Sequence, residues 1–404
     1  MTTSISIKAG EVFEGPSKTL TDAHFLLFSG VTGDVHPVHY DVEYAKQLRF
    51  GKPVAHGLLL NSLTALGAST GRDRCDGFVL VEQGCKFLRP AFVGDTIRPR
   101  LEVERLWQDG VEAICPTIVT CASSDLRRAL TVLAEARRQH RPGRCRLLGA
   151  HLEGPFLEPS RRGAHPQQHL AAPSLEALQE RIAGFEDAIT LVTLAPELPG
   201  ATAVIEALVA RGIVVSLGHS AASEAEAEAA YSQGVGMVTH AFNAMPDMHR
   251  RAPGPVAAAA LRDDIALGLI ADGVHVAPTM AVLLQRLAPQ QLVLVSDALG
   301  PYGLPDGTYR WDERPLIVEQ GSCRLEDGTL AGVTLPLLEA VRRLARWGGD
   351  AEGTIAAATL HPRRVLGDRR SIQELLLGLP LEETLRWSGR AVDLHGRRAA
   401  GTPA

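Results

Sequence analysis

Between residues 146 and 297 short apolar runs alternate with alanine- and glutamate-rich stretches, and every run ends on a polar side chain. The runs are 146–152, 189–194, 213–217, 236–239, 266–270 and 292–295. The polar groups at or just beyond their ends are Glu153, Glu197, His219, His240, Asp272 and Asp297. Strand alternating with helix is the pattern of parallel βαβ units. In a (β/α) barrel such positions fall on the C-terminal rim, where active sites are built. A lone histidine after a strand is most often structural. Packing alone gives no reason for six consecutive strands to end this way.

The chain has 404 residues, enough for two or three domains with real cores. A net charge of -5 supplies no basic field for nucleic acid or an anionic membrane surface. No long uncharged apolar run is present, so no membrane span is expected. The start, Met1-Thr2-Thr3-Ser4-Ile5, lacks the apolar stretch of a signal peptide. Six cysteines are scattered without a C-x-x-C pair, which reads as reduced thiols and a cytoplasmic location.

The first third has a different grammar. Residues 41–48 read as a short amphipathic helix and 57–66 as a buried one, apolar on nearly every side. Runs rich in β-branched residues follow at 77–88, 96–108 and 111–121, with a fourth at 130–136. That order suggests an antiparallel sheet wrapped around a central helix. The polar segment 139–144, with Pro142-Gly143, marks a boundary. Two domains are therefore expected, 1–140 and 146–404.

Three motifs characterise the first: Gly33-Asp34-Val35-His36-Pro37-Val38-His39, Ala55-His56-Gly57, and Arg89-Pro90-Ala91-Phe92-Val93-Gly94-Asp95. In this order they resemble the MaoC-like hydratase family, which implies an α+β hot-dog fold that dimerises and an acyl-CoA thioester as ligand. Hydration of an enoyl thioester needs groups that activate water and a donor for the enolate oxygen. The resemblance gives Asp34 and His39 the first task. It gives the second to the backbone N–H of Gly57, at a helix start. Gly33-Asp34 by itself is equally at home in a turn, and His56 reads as structural. The family usually has Asn where this chain has His36.

The second half carries Ala150-His151-Leu152-Glu153-Gly154-Pro155, Gly163-Ala164-His165-Pro166, Leu217-Gly218-His219-Ser220, Thr239-His240-Ala241-Phe242-Asn243-Ala244, Arg251-Ala252-Pro253-Gly254, Ala271-Asp272-Gly273-Val274-His275 and Ser296-Asp297-Ala298. This ordered set resembles the N-acetylglucosamine-6-phosphate deacetylases of the amidohydrolase superfamily, with an α/β (β/α)8 TIM-type barrel. The resemblance implies a divalent metal, Zn²⁺ being the expected ion, on Glu153, His219 and His240. It implies Asp297 as acid/base, with His165, Asn243, Ala244, Arg251 and His275 on a sugar phosphate. One carboxylate and two imidazoles suit such an ion and leave a position for water. His151 is expected to orient the site, Asp272 and Glu197 to support it, and the turn 328–332 to close over the substrate. The family's small N-terminal β-domain and its first two βα units have no counterpart after residue 146, so an incomplete barrel is expected.

The leading expectation is a metal-dependent deacetylase fused to a MaoC-like hydratase domain. One rival keeps activity only in the hot-dog domain, as an (R)-specific enoyl-CoA hydratase. Another makes both halves non-catalytic remnants that bind or scaffold.

Overall fold

The computed structural model describes residues 11–65, 68–70, 85–102, 111–139, 145–377, 385–387 and 392–394. The chain divides into two compact units, residues 1–108 and 109–398.

In the first unit, strand β1 (Val12–Glu14) and strand β2 (Lys18–Thr19) precede helix α1 (Asp22–Thr32). Thr21 and His24 form a capping box at the start of α1, and Gly33, at φ +75°, ends it. A left-handed turn there suits glycine and leads the chain directly into Asp34. Helices α2 (Val42–Lys46) and α3 (Gly57–Ser62) follow, then strands β3 (Thr96–Ile97) and β4 (Arg100–Glu102). The pairs β1–β4 and β2–β3 are antiparallel. Leu20, Phe25, Ala55, Leu59 and Ala91 form the core. Helix α3 is shorter than expected and Leu58 stays exposed. Most of the strand expected at 77–88 and the end of that at 96–108 lie outside the described residues, as does 140–144.

The second unit begins at residue 109. Strands β5 (Ala113–Ile114) and β6 (Thr117–Val119) and helix α4 (Ser123–Arg138) fall within it. The strand expected at 130–136 is the middle of α4. The physical reason lies in the spacing of Leu126, Leu130 and Leu133. They are buried on one helical face and join the barrel core with Leu152, Ile182 and Ile189. A seven-residue window containing Thr131 and Val132 is too short to reveal that period.

From there the βα alternation is regular. Strands β7 (Arg146–Leu147) and β8 (Ala150–Glu153) are followed by α5 (Leu175–Ile182), β9 (Ile189–Leu194), α6 (Ala201–Val209) and β10 (Val214–Leu217). Next come α7 (Glu224–Ser232), β11 (Val235–Val238), α8 (Gly254–Ala260), β12 (Ala266–Leu269), α9 (Pro278–Leu287) and β13 (Leu292–Leu294). The strands form a parallel seven-stranded sheet in the order β13-β12-β11-β10-β9-β8-β6. Eight strands close a TIM barrel. The described sheet has seven strands, with β6–α4 contributing a βα unit before β8. Its edges are β6 and β13. Glu112, just before β5, pairs with Arg146 and with Arg363 of the later helix that packs on β13.

After β13 the chain makes an antiparallel sheet of β14 (Gly307–Trp311), β15 (Arg314–Glu319), β16 (Ser322–Arg324) and β17 (Leu330–Val333). Helices α10 (Leu337–Gly348), α11 (Ala351–Val365) and α12 (Ile372–Leu376) follow, then a hairpin of β18 (Leu385–Trp387) and β19 (Val392–Leu394).

Because Leu130 is fully buried in the barrel core, Leu130→Ala should destabilise the second unit by about 2–5 kcal/mol. Hydrogen exchange followed by mass spectrometry should quicken across β8 and β9. Exchange quickening only within residues 11–102 would instead return α4 to the first unit.

Candidate functional site

The C-terminal ends of β8, β10 and β11 bring Glu153, His219 and His240 together, all three buried. His240 Nε2 lies 3.1 Å from Glu153 Oε1 and 3.1 Å from His219 Nε2, and His219 Nε2 lies 3.3 Å from the same oxygen. Metal–ligand distances of about 2.0–2.1 Å in tetrahedral geometry put neighbouring ligand atoms about 3.3 Å apart. One carboxylate oxygen and two imidazole nitrogens are thus spaced as the edges of such a shell. His219 Nδ1 donates to the carbonyl of Arg161 at 3.0 Å, which leaves the Nε2 lone pair facing the cluster. His240 Nδ1 is buried with no hydrogen-bond partner. The residues fit a divalent cation.

The electrostatics agree. Burial alone would raise the Glu153 carboxyl, but hydrogen bonds from His165, His219 and His240 hold it well below the ordinary range. Burial pushes His219 down to about 4. At His240 burial is outweighed by the hydrogen bond and charge of Glu153 and by Asp297, so that imidazole is raised. The carboxylate is thus held ionised, with His219 neutral beside it.

Their backbone is unusual. His219, His240 and Asp297 have φ of +48°, +26° and +48°, in the left-handed region that non-glycine residues avoid. The turns are held from outside. Glu158 N–H donates to His219 O at 2.9 Å, and Glu197 accepts from Ser220 Oγ and Ala221 N–H at 2.7 and 2.6 Å. Asp297 O accepts from Val333 N–H of β17. A Cβ on Gly332 would lie 2.8 Å from that carbonyl, so glycine is required. The turn 328–332 therefore braces Asp297 through β17. Asp297 is half-buried, and burial together with the charge of Glu153 raises its carboxyl.

His165, on the loop after β8, joins the cluster with Nε2 3.6 Å from Glu153 Oε2. His275 Nδ1 bonds Asp272 Oδ2 at 2.6 Å, so Asp272 orients it. Asn243 turns its amide back onto the carbonyls of His240 and Ala241, bracing the turn. Ala244, at φ +53°, accepts from Ser220 N–H. Arg251 is exposed on the loop after β11, and its N–H donates to His249 Nδ1 at 3.4 Å. His151 spans Thr117 Oγ1 and Thr193 Oγ1 at 2.9 and 2.8 Å, and burial pushes it down to about 4. It ties β6 to β9 as a neutral ring. Sequence reasoning missed Thr120, which contacts both His165 and the Glu153 carbonyl. It too is a polar residue just after an apolar run. Assigning that run to the first domain hid it.

In the first unit Asp34, His39 and His56 cluster. His39 Nδ1 donates to Val54 O at 2.7 Å, and its Nε2 lies 3.8 Å from Asp34 Oδ2. The His56 ring stacks on His39 with centroids 3.7 Å apart. Its Nε2 lies within 3.2 Å of Ser29 Oγ, Tyr40 OH and Asp34 O. Burial lowers His56, a neutral ring that holds the Asp34 turn. Gly57 begins α3, where N–H groups lack helical partners. A cavity of about 340 Å³ adjoins His39, walled by Phe25, Leu26, Tyr40 and Phe92.

Over 279 residues the chain is 38% identical to N-acetylglucosamine-6-phosphate deacetylase of Bos taurus, covering 66% of this chain and 67% of that one. It is 38% identical over 284 residues to the Homo sapiens enzyme of the same name, covering 67% and 68%. The chain belongs to the N-acetylglucosamine-6-phosphate deacetylase family. N-acetylgalactosamine-6-phosphate deacetylase of Escherichia coli O157:H7 is 36% identical over 261 residues, covering 64% and 69%. The Thermotoga maritima deacetylase structure matches with a TM-score of 0.59 at 33% identity, over 64% of this chain and 70% of that one. The Mycobacterium smegmatis deacetylase bound to N-acetyl-D-glucosamine-6-phosphate gives 0.60 at 31%, over 64% and 69%. The family model described as MaoC like domain matches residues 6–122. The fold is thus a MaoC-like hot-dog domain followed by an incomplete deacetylase barrel. That match runs beyond residue 108, into strands that pair with the barrel.

Removing one imidazole, as His219→Ala or His240→Ala, takes away one of three candidate ligand atoms. Affinity for a divalent metal, read by chelator competition, should fall by more than the ~10–100-fold typical of a lost outer partner. Unchanged affinity in both variants would place the metal elsewhere.

Proposed function

We propose that the barrel removes the N-acetyl group of N-acetylglucosamine 6-phosphate, with Zn²⁺ on Glu153, His219 and His240. The observation that carries this reading is the convergence of those three ligand atoms within 3.3 Å beside a carboxyl raised by its surroundings. A divalent ion held there supplies Lewis-acid polarisation for hydrolysis of the amide. Asp297, its carboxyl raised by burial and by the charge of Glu153, takes a proton from the attacking water and delivers it to the departing amine. His165 and His275 present ring nitrogens to the substrate, and the turn bearing Asn243 and Ala244 forms one wall. Arg251, exposed on its loop, offers a planar two-donor fork to the phosphate. The family resemblance also extends to an N-acetylgalactosamine-6-phosphate enzyme, so the sugar epimer is the nearest alternative substrate.

The hot-dog unit is read as an enoyl-CoA hydratase site. With Nδ1 donating to Val54 O, His39 Nε2 offers a lone pair. That lone pair and the Asp34 carboxylate, 3.8 Å apart, are two acceptors that one water molecule bridges. The Gly57 N–H receives the thioester oxygen, and the cavity beside His39 takes the apolar chain. Leu26, Leu27 and Val31 of α1 are 63%, 70% and 87% exposed, with Val35 and Leu58 also bare. Such a patch favours a homodimer through this unit. Among the described residues no helix is long and apolar enough to cross a membrane. The scattered free thiols favour the cytoplasm.

Asp297→Asn should retain metal while deacetylation falls by about 10²-fold or more. Full activity in that variant would remove Asp297 as acid/base. Independently, Asp34→Asn and His39→Ala should each lower hydration of a short enoyl-CoA by a similar factor, in a coupled absorbance assay. Persistence in both would leave the barrel as the chain's one enzyme.

A further inference from the structure

On helix α10, Glu339, Arg343 and Trp347 recur at the spacing that places side chains on one stripe. Val341 and Leu344 of the same helix join the barrel core and seat it there. Arg343 Nε donates to Glu339 Oε1 at 3.0 Å, which holds the guanidinium in place. Its Nη1 donates to the main-chain carbonyl of Asp272 at 2.5 Å. The Trp347 ring stands against Gly273, at φ +77°, where a Cβ would lie 3.4 Å from two ring carbons. The stripe therefore buttresses the loop after β12.

That loop is rigid within itself. Asp272 is 4% exposed. Its Oδ1 accepts from Val274 N–H and His275 N–H at 2.9 and 2.8 Å, and its Oδ2 from His275 Nδ1 at 2.6 Å. Main chain and ring are clamped to one carboxylate, so residues 272–275 shift as a body. The β12–β13 register ends at Leu269, before the loop begins. The Arg343 bond ties the body to a packed helix. His275 also stands close to the acid/base: burial and the charge of Glu153 raise Asp297, while the charges of His240 and His275 pull it down.

We propose that Arg343 is a positioning residue for substrate binding: through the Asp272 carbonyl it sets where the His275 ring stands. The inference rests on reading His275 as a contact of the sugar phosphate. An arginine on a helix outside the metal cluster then controls substrate affinity, and Asp272 keeps ring and main chain together.

The test compares Arg343→Met, which keeps an unbranched side chain and removes its donors, with Arg343→Lys in the full-length chain. Misplacing a contact by about 1 Å can cost as much as 10²-fold. Arg343→Met should lower kcat/KM for N-acetylglucosamine 6-phosphate by about tenfold or more, mainly through KM. Arg343→Lys should recover most of that loss, since one carbonyl needs one donor. On a His275→Ala background Arg343→Met should add nothing further, because both changes remove the same contact. An equal additional loss there, or wild-type kinetics in Arg343→Met, overturns the proposal. Crystal structures should show the His275 ring displaced in Arg343→Met with its bond to Asp272 kept, and an unmoved ring overturns it too. Should Arg343→Met fail to fold, Glu339→Ala, which frees the guanidinium, takes its place in each comparison. If wild type does not turn over the sugar phosphate, the deacetylase reading fails, while the crystal comparison still decides whether Arg343 places the ring.

Discussion

A carboxylate buried at the mouth of a parallel sheet has to be paired, because an isolated buried charge costs many kcal/mol. Glu153 meets that requirement with three imidazoles, and the rest of the barrel is arranged so that they reach it. Parallel ladders set β8, β9, β10 and β11 side by side with their C-terminal ends level. Each ligand follows its strand by at most two residues. The left-handed turns at His219 and His240 bend the side chains inward, and hydrogen bonds from neighbouring loops hold those turns.

The same constraint gives the antiparallel β14–β17 sheet its importance. Its last strand grips the Asp297 carbonyl, and Arg314 at its second strand donates to the carbonyl of Ala164, next to His165. Asp297 and the loop that carries His165 are therefore both tied to this sheet through their main-chain carbonyls. Backbone anchoring of this kind fixes tautomers as well as positions, since a carbonyl or an N–H leaves the imidazole no choice of proton.

The fusion seam shows how two domains share a chain economically. Residues 111–122 match the MaoC-like pattern, yet β6 pairs with β8 and α4 packs its leucines under β8 and β9. Capture of that segment gives the barrel a seventh strand and brings Thr117 and Thr120 to the site. The remaining edges, β6 and β13, are approached from below by the Arg146–Glu112–Arg363 bridge. Exposed ion pairs contribute little to stability singly. Their value here lies in linking the two ends of an open sheet.

Much of the site was legible because strand ends obey a rule. An apolar run followed by Glu, His or Asp places that group on the catalytic rim whatever the helices between do. Glu153, His219, His240 and Asp297 follow directly. Arg251, by contrast, is exposed on a loop. The segment 111–136 was less legible for a different reason. Alternating β-branched residues at 111–121 define a strand but not its partner, and 130–136 is too short to show helical period against its Thr and Val content. The sequence by itself determined which residue types stand at the ends of which strands, since that depends only on local pattern. The tertiary structure alone decided which sheet captured β6 and which nitrogen of His219 carries its proton. Both depend on backbone partners distant in the chain, and local propensity does not encode those pairings.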